Sequence, residues 1–449
     1  MKTAAKLFGT DGIRGEAGTY PLDEQTVGAV GGAVCRFFRR GGHVPRVVVG
    51  RDTRASGLVL EKALCDGICA AGGTVSLAGV LPTPGVAFHA RDLAADAGVM
   101  ITASHNPYQD NGIKIFSGSG FKLSDQEESE LERSIAVPGP AEKGGVVGSS
   151  DICMDAAAGY EAFVSAALPD GQSLRGVKVV LDTANGATYK VAPELFVGLG
   201  AEVTVLHDRP DGVNINRDCG SEHTESLSEA VLDRGADLGL AFDGDGDRLI
   251  AVDEQGQELT GDQAIIICAD LMKKTGRLRG DQVVSTVMSN LGFSMACRQL
   301  GLQNHAAKVG DRYVVEEMRR VGAVLGGEPS GHVVFLDRHT TGDGILTGLE
   351  VIAAMLISGG PLSTLGQMME VYPQRMINVE VAKKPALESL PSLTGAIRQV
   401  ESELGEEGRV LVRYSGTQNM CRVMVEGPSA VAAEKYATLL AEVVKEAVG

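Results

Sequence analysis

A chain of 449 residues is long enough for about three domains of ordinary size, which excludes a single small module. Hydrophobic residues make up 44%, aromatics only 4%, and the 59 glycines point to a globular chain whose turns approach a ligand closely. The formal net charge of -17 excludes the basic surface that DNA or RNA needs. It leaves the sign of a small substrate open, because salt screens surface charge over about 8 Å and an arginine inside a pocket dominates locally.

The eight cysteines (35, 65, 69, 153, 219, 268, 297 and 421) are scattered through apolar stretches, and Cys65 and Cys69 fall at helical spacing, so reduced thiols of a cytoplasmic protein are expected. The opening MKTAAKLFGTDG has no signal-peptide core, and no apolar run reaches the roughly 18 residues of a membrane span. Neither export nor a membrane partner is expected.

In chain order, one arrangement recurs three times: strand, polar turn with glycine, helix, second strand, then a strand running into a motif. The first copy has RVVVG (46–50), a helix near 57–71, TVSLAG and AGVMITASHNP. The second has KVVLDTANGAT (178–188), a helix ending at LGAE, VTVLH and ADLGLAFDGDGDR. The third has QVVSTVMSN (282–290), a helix ending at QLGL, a segment reaching HAAKVGDRY, and GAVLGGEPSGH. Strands separated by helices form parallel βαβ units, and ligands of such sheets lie beyond the carboxyl ends of the strands. Motifs near 104, 243 and 328 are therefore expected to line one cleft.

From about residue 370 the pattern changes to INVEVA, a helix in LPSLTGAIRQVESEL, RVLVRY, CRVMVEG and a closing helix from Ala430 to about Ala447. The expected fold is α/β: three similar α/β domains with mainly parallel sheets, plus a C-terminal α+β domain, around a central cleft. Boundaries at VPGPAEKGGVVGSSD and DEQGQELTGD, with the change of pattern near 370, give four domains, 1–150, 151–255, 256–367 and 368–449. A flexible link is expected near 366–372.

Each motif suggests a role. TASHNP offers Ser104 among His105, Asn106, Asn111 and Lys114, which suit the extra negative charge of a phosphoserine; a turn cap is the plainer alternative. FDGDGDR aims Asp243, Asp245 and Asp247 at one hard cation, with magnesium preferred because it keeps coordination sites for phosphate oxygens. An EF-hand is the rival, but Arg248 replaces its glycine and the flanks are strands. GEPSGH places Glu328, Ser330 and His332 in a turn suited to sugar hydroxyls. RYSGTQNMCR, placed in a loop between two strands, gathers Arg413, Ser415, Gly416, Thr417 and Arg422 for a phosphate dianion. FGTDGIRG lacks the dinucleotide fingerprint, and Arg14 is assigned to the cleft. His43, His89 and His207 are read as surface or core residues.

FGTDGIRG, TASHNP, DGDGDR, GEPSGH and RxSGT, in that order from Phe8 to Glu426, resemble the α-D-phosphohexomutase family. KVGDRYVVEEM, which begins at Lys308, and TTGDGI resemble its bacterial members that act on an amino sugar. The resemblance implies a four-domain enzyme with phosphoserine 104, one Mg²⁺ on Asp243, Asp245, Asp247 and the phosphoserine, sugar contacts at Glu328, Ser330 and Lys308, and a phosphate clamp in the last domain. It further implies interconversion of glucosamine 6-phosphate and glucosamine 1-phosphate through glucosamine 1,6-bisphosphate, with Lys114 or His332 as base, Arg14, His105 and Arg248 beside the phosphate, and a possible homodimer. Many relatives read RKSGTEP where this chain has RYSGTQN, so Tyr414, Gln418 and Asn419 depart from the pattern. The rivals are a phosphomannomutase or phosphoglucomutase, a phosphatase, and an inactive sugar-phosphate sensor.

Overall fold

The computed structural model describes residues 7–9, 11–39, 43–136, 148–169, 171–415 and 419–449, so Gly416, Thr417 and Gln418 of the clamp motif lie outside the described residues. Two compact units are present: Met1–Met288 with Leu302–Met368, and Ser289–Gly301 with Met369–Gly449.

The larger unit holds three separate sheets built to one pattern. In the first, Arg46–Arg51 lies parallel between Thr74–Val80 and Ala97–Ile101. The second places Lys178–Asp182 between Glu202–Leu206 and Leu238–Phe242. The third places Gln282–Thr286 between Gln303–Ala307 and Leu325–Gly327. Each third strand then turns back antiparallel, into Asp110–Ser117, Leu249–Asp253 and Val333–Phe335 respectively. The sheets are thus parallel at their hearts and antiparallel at the motif edge. A short motif turn can only return the chain antiparallel, whereas a parallel return needs a long crossover. The first sheet grows further with Gly12–Glu16 and Phe8–Gly9 on that edge, and the second closes with Glu258–Leu259.

The central strands are nearly continuous runs of buried aliphatics, as in Val47, Val48, Val49 and Val99, Met100, Ile101, because helices cover both faces. The helix Leu291–Gln299, expected to complete the third copy, groups instead with the C-terminal unit. Asn290 Nδ2 donates to Tyr372 O at 2.9 Å, and Leu291 N donates to Glu426 Oε2 at 3.1 Å. That unit has an antiparallel sheet ordered Gln374–Glu380, Met420–Glu426, Arg409–Tyr414, packed by Pro391–Leu404 and Ala430–Val448 around Leu393, Val423, Leu440 and Val444. Among the described residues no helix is long and apolar enough to cross a membrane.

His339 joins the first and third copies inside the larger unit. Its Nε2 donates to Pro84 O at 2.9 Å and its Nδ1 accepts from Thr340 N at 2.8 Å, which fixes a neutral tautomer. Burial pushes its pKa down to about 4 from 6.5. A depressed folded pKa gives stability that is present above pH 6.5 and lost as pH falls toward 4, about 3 kcal/mol for this one group. Chemical denaturation from pH 7 to 4 should show that loss, and His339→Gln should flatten it; an equally steep profile in the variant refutes this assignment.

Candidate active site

Ser104 sits in the turn after Ala97–Ile101 with φ +54, 1% exposed. A serine holds that left-handed conformation only when its surroundings impose it. Its N–H donates to Thr102 Oγ1 at 2.9 Å, and Thr102 Oγ1 donates to Asp52 Oδ2 at 2.7 Å. Its carbonyl accepts from Arg54 Nη2 at 2.9 Å and from Asn216 Nδ2 at 2.8 Å. The Arg54 guanidinium, wholly buried and paired with Asp52 at 2.8 Å, also bonds the carbonyls of Asn106, Pro107 and Asp110. One side chain therefore holds the main chain of the turn at four points. Sequence reading missed Arg54 and Asp52; the signal available was RDTR at the end of an apolar strand, the position where such sheets place ligand-facing groups.

Ser104 Oγ donates to Asp243 Oδ2 at 2.6 Å and lies 3.4 Å from His105 Nδ1. Asp243, Asp245 and Asp247 each offer an oxygen within 4.8 Å of the others and are at most 3% exposed. Burial, then the charges of Asp245 and Asp247, raise the Asp243 carboxyl well above the ordinary range. Lys114 Nζ answers this charge, 2.7 Å from Asp245 Oδ2 and 2.9 Å from Asp247 Oδ2. Burial opposes its ammonium form, but Asp11, Asp245 and Asp247 outweigh burial and hold its pKa well above normal. Asp245 Oδ1 and Asp247 Oδ1 stay buried without a hydrogen-bond partner. Orphaned carboxylate oxygens beside a third carboxylate and the serine hydroxyl are the donor set of a hard divalent cation, so the triad can hold a metal. Gly244 lets the turns meet, since a Cβ there would lie 2.6 Å from Ser104 O.

Arg14, on Gly12–Glu16, donates through Nη1 to Ala103 O and Asn106 Oδ1, both at 3.1 Å, and pairs with Asp11. Asp11, unnoticed in the sequence, also meets Lys122, which reaches Asp311. Arg248 lies 3.9 Å from Asp247 Oδ1, and its N–H donates to Asp243 Oδ1 at 3.2 Å. Burial, then Arg248, lowers the His105 pKa. His332 is brought between Asp247 (Nδ1 to Oδ1, 3.6 Å) and Asp311 (Nε2 to Oδ2, 3.6 Å), and Nε2 accepts from Gly342 N at 3.2 Å. Burial disfavours its charge, yet Asp247 and Asp311 raise its pKa overall. Glu328 Oε1 accepts from Gly310 N at 2.9 Å, tying the GEPSGH turn to the turn after Lys308, whose Nζ lies 5.9 Å from the Tyr313 ring centroid. Ser330 is half-buried in the same turn.

In the C-terminal unit, Arg413 and Arg422 lie on strands, not in the loop, and face each other as direct cross-strand partners. Burial and the Arg422 charge lower the Arg413 pKa, and Arg422 Nε is buried without a hydrogen bond. Like charges directly opposite destabilise a sheet, and an anion between them removes the conflict. Ser415, at the end of the strand, is buried. His89 is a core residue that contacts Ala156 O, His43 is exposed beside Asp96, and His207, read as a surface or core residue, lies 3.0 Å from Asp182 beside Cys219.

Four family descriptions match the chain in order: phosphoglucomutase/phosphomannomutase alpha/beta/alpha domain I over residues 5–139, domain II over 160–256, domain III over 260–372 and the C-terminal domain over 376–443. A phosphoglucosamine mutase of Syntrophobacter fumaroxidans is 57% identical over 446 residues, covering 99% of both chains. One from Syntrophus aciditrophicus is 54% identical over 451 residues, covering 99% of this chain and all of that one. A phosphoglucomutase/phosphomannomutase family protein of Burkholderia thailandensis superposes with a TM-score of 0.80 at 25% identity, over 98% of this chain and 97% of that one. The N-acetylphosphoglucosamine mutase of Aspergillus fumigatus, solved with GlcNAc-6P and magnesium, shares the fold with a TM-score of 0.70 at 18% identity, over 99% of this chain and 96% of that one.

Lys114→Met removes the only ammonium bonded to both Asp245 and Asp247 among the described residues. Breaking a buried pair costs about 3–5 kcal/mol, so the variant should melt well below the parent in chelator and recover much of the difference in millimolar Mg²⁺. Equal melting of both proteins in chelator would count against the electrostatic role of Lys114.

Proposed function

The chain belongs to the phosphoglucomutase/phosphomannomutase family, and from that premise we propose that it interconverts glucosamine 6-phosphate and glucosamine 1-phosphate through a phosphorylated Ser104 and glucosamine 1,6-bisphosphate. The observation that carries this reading is the Ser104 hydroxyl 2.6 Å from Asp243 Oδ2, in a buried turn that Arg14, Lys114 and Arg248 surround with positive charge. The relatives named phosphoglucosamine mutase at 57% and 54% identity support the amino-sugar substrate.

Phosphoryl transfer depends on positioning and charge stabilisation more than on covalent assistance. The Arg54 and Asn216 bonds to Ser104 O fix the serine for in-line approach by the sugar hydroxyl. Lys114, held as an ammonium, stabilises charge on the transferring group with Arg248 and Arg14, and His105 flanks the phosphoserine. Proton acceptance then falls to His332 at Nε2, where protonation exchanges the Gly342 N–H for a bond to Asp311. A magnesium ion on Asp243, Asp245, Asp247 and the phosphoserine would neutralise phosphoryl oxygens. Glu328, Ser330 and Lys308 read the sugar hydroxyls. Arg413, Ser415, Gly416, Thr417 and Arg422 hold the phosphate that is not reacting, and the bisphosphate turns over so that each phosphate occupies each place once. A cytoplasmic location, a homodimer and the four domains 1–150, 151–255, 256–367 and 368–449 belong to the same reading.

Ser104→Ala should lower mutase turnover by about 10⁴-fold or more with an unchanged melting temperature; substantial turnover without phosphoprotein would sink the scheme. Arg413→Ala should lower kcat/KM by about 10- to 100-fold, the worth of a charge-assisted bond. Initial rates with glucosamine 1-, mannose 1- and glucose 1-phosphate should favour the amino sugar by more than about tenfold, or 1.4 kcal/mol. Equal rates on mannose or glucose phosphate would overturn the substrate, and stoichiometric release of inorganic phosphate would mark a phosphatase.

A further inference from the structure

The second sheet carries a set of donor side chains that the proposed reaction does not use. Asp182 ends the strand Lys178–Asp182, His207 follows the strand Glu202–Leu206, and Cys219 immediately precedes the 3-10 turn Gly220–Glu222. One ligand atom from each lies within 4.8 Å of the other two. Asp182 and Cys219 are at most 1% exposed. His207 Nδ1 faces Asp182 Oδ2 at 3.0 Å, and this pairing raises the imidazole pKa above its ordinary value against the effect of burial. Asp182 is oriented by other groups, its Oδ1 accepting from Ala184 N and its Oδ2 from Gly220 N, both at 2.9 Å. Five non-glycine residues here, Ala184, Asn185, His207, Asn216 and Asp218, have φ between +48 and +57. Asn, Asp and His adopt this backbone more readily than other residues, whereas Ala184 takes it only where the surrounding loops impose it.

Thiol, imidazole and carboxylate form a donor set unlike the all-oxygen triad at Asp243. They suit a cation of the zinc class, which binds sulfur, nitrogen and oxygen at about 2.0–2.3 Å in tetrahedral array and discriminates by donor softness. His207 is partly exposed, and the surface cavity of about 540 Å³ beside it, which Asn185, Asp208 and Arg217 help to line, admits a water as fourth ligand.

We propose that Asp182, His207 and Cys219 bind a thiophilic divalent cation of the zinc class, distinct from the hard-cation site, and that this cation clips the loop from 207 to 219 at both ends. Binding forms bonds from Cys219 Sγ, His207 Nδ1 and an Asp182 oxygen to the cation, and the thiol proton passes to solvent. The loop so clipped backs the phosphoserine turn: Gly212 O accepts from Ala55 N at 2.9 Å, and Asn216 Nδ2 donates to Ser104 O at 2.8 Å and Asn106 O at 3.1 Å. A metal clip that closes a loop lowers the entropy of the open states, and here it does so behind the reacting serine.

The test uses the full-length protein, stripped with chelator, desalted, and titrated with Co²⁺ in excess Mg²⁺ so that the hard site is filled. One equivalent should bind with a near-ultraviolet thiolate-to-cobalt charge-transfer band and intense tetrahedral visible bands, and Zn²⁺ should displace it. Cys219→Ser should abolish the charge-transfer band, and His207→Gln, at a partly exposed position, should weaken binding at least tenfold. Asp245→Asn should keep the band. Absence of the band in the parent, or its survival in Cys219→Ser, would overturn the proposal and leave a His–Asp ion pair beside a buried thiol. Because the readout is metal binding, failure here is separable from failure of the mutase reading.

Discussion

Three carboxylates in one buried turn repel one another, and much of the larger unit is arranged to contain that repulsion. Lys114 supplies an ammonium between Asp245 and Asp247. Thr83 Oγ1 donates to Asp245 Oδ2 at 2.5 Å, and Ser104 Oγ donates to Asp243. Each donor comes from the first copy of the repeat, while the acceptors belong to the second. The charge conflict therefore binds the two copies together, and the same bonds bring the Ser104 hydroxyl to the carboxylate triad. Low dielectric makes this compensation strong and makes its loss costly.

Repetition explains how distant motifs converge. Each copy ends its parallel heart with a strand that turns back antiparallel, and that turn is where Ser104, the Asp243 loop and Glu328 lie. Backbone contacts then stitch the turns: Leu249 N donates to Gly331 O at 3.1 Å, and Gly344 N donates to Gly246 O at 3.0 Å. At Gly344 a Cβ would stand 2.4 Å from Arg248 O, so only glycine permits this approach. The Ser104 turn gains its rigidity from Arg54, whose donors are spent on Asp52 and on main-chain carbonyls. A left-handed serine needs such support to present its hydroxyl in one direction. In the C-terminal unit Arg413 and Arg422 set two like charges directly opposite each other across the sheet.

The amino-acid order alone determined the three-copy pattern and the mixed C-terminal unit, and it singled out Ser104, the Asp243 loop and the two arginines as candidates. Those features rest on local signals: apolar runs of strand length, alternating aspartates and a serine before His-Asn-Pro. Tertiary structure decided what depends on distance along the chain. It placed Asp11 beside Lys114, a residue 103 positions later, and put Arg54 beneath a turn fifty residues away. It converted a loop of two arginines into a cross-strand pair, and it gathered Asp182, His207 and Cys219, none of which has a neighbour in sequence that marks it as a ligand. The physical reason is that electrostatic compensation and metal-donor geometry are set by three-dimensional proximity, whereas periodicity and turn chemistry are written within a few residues.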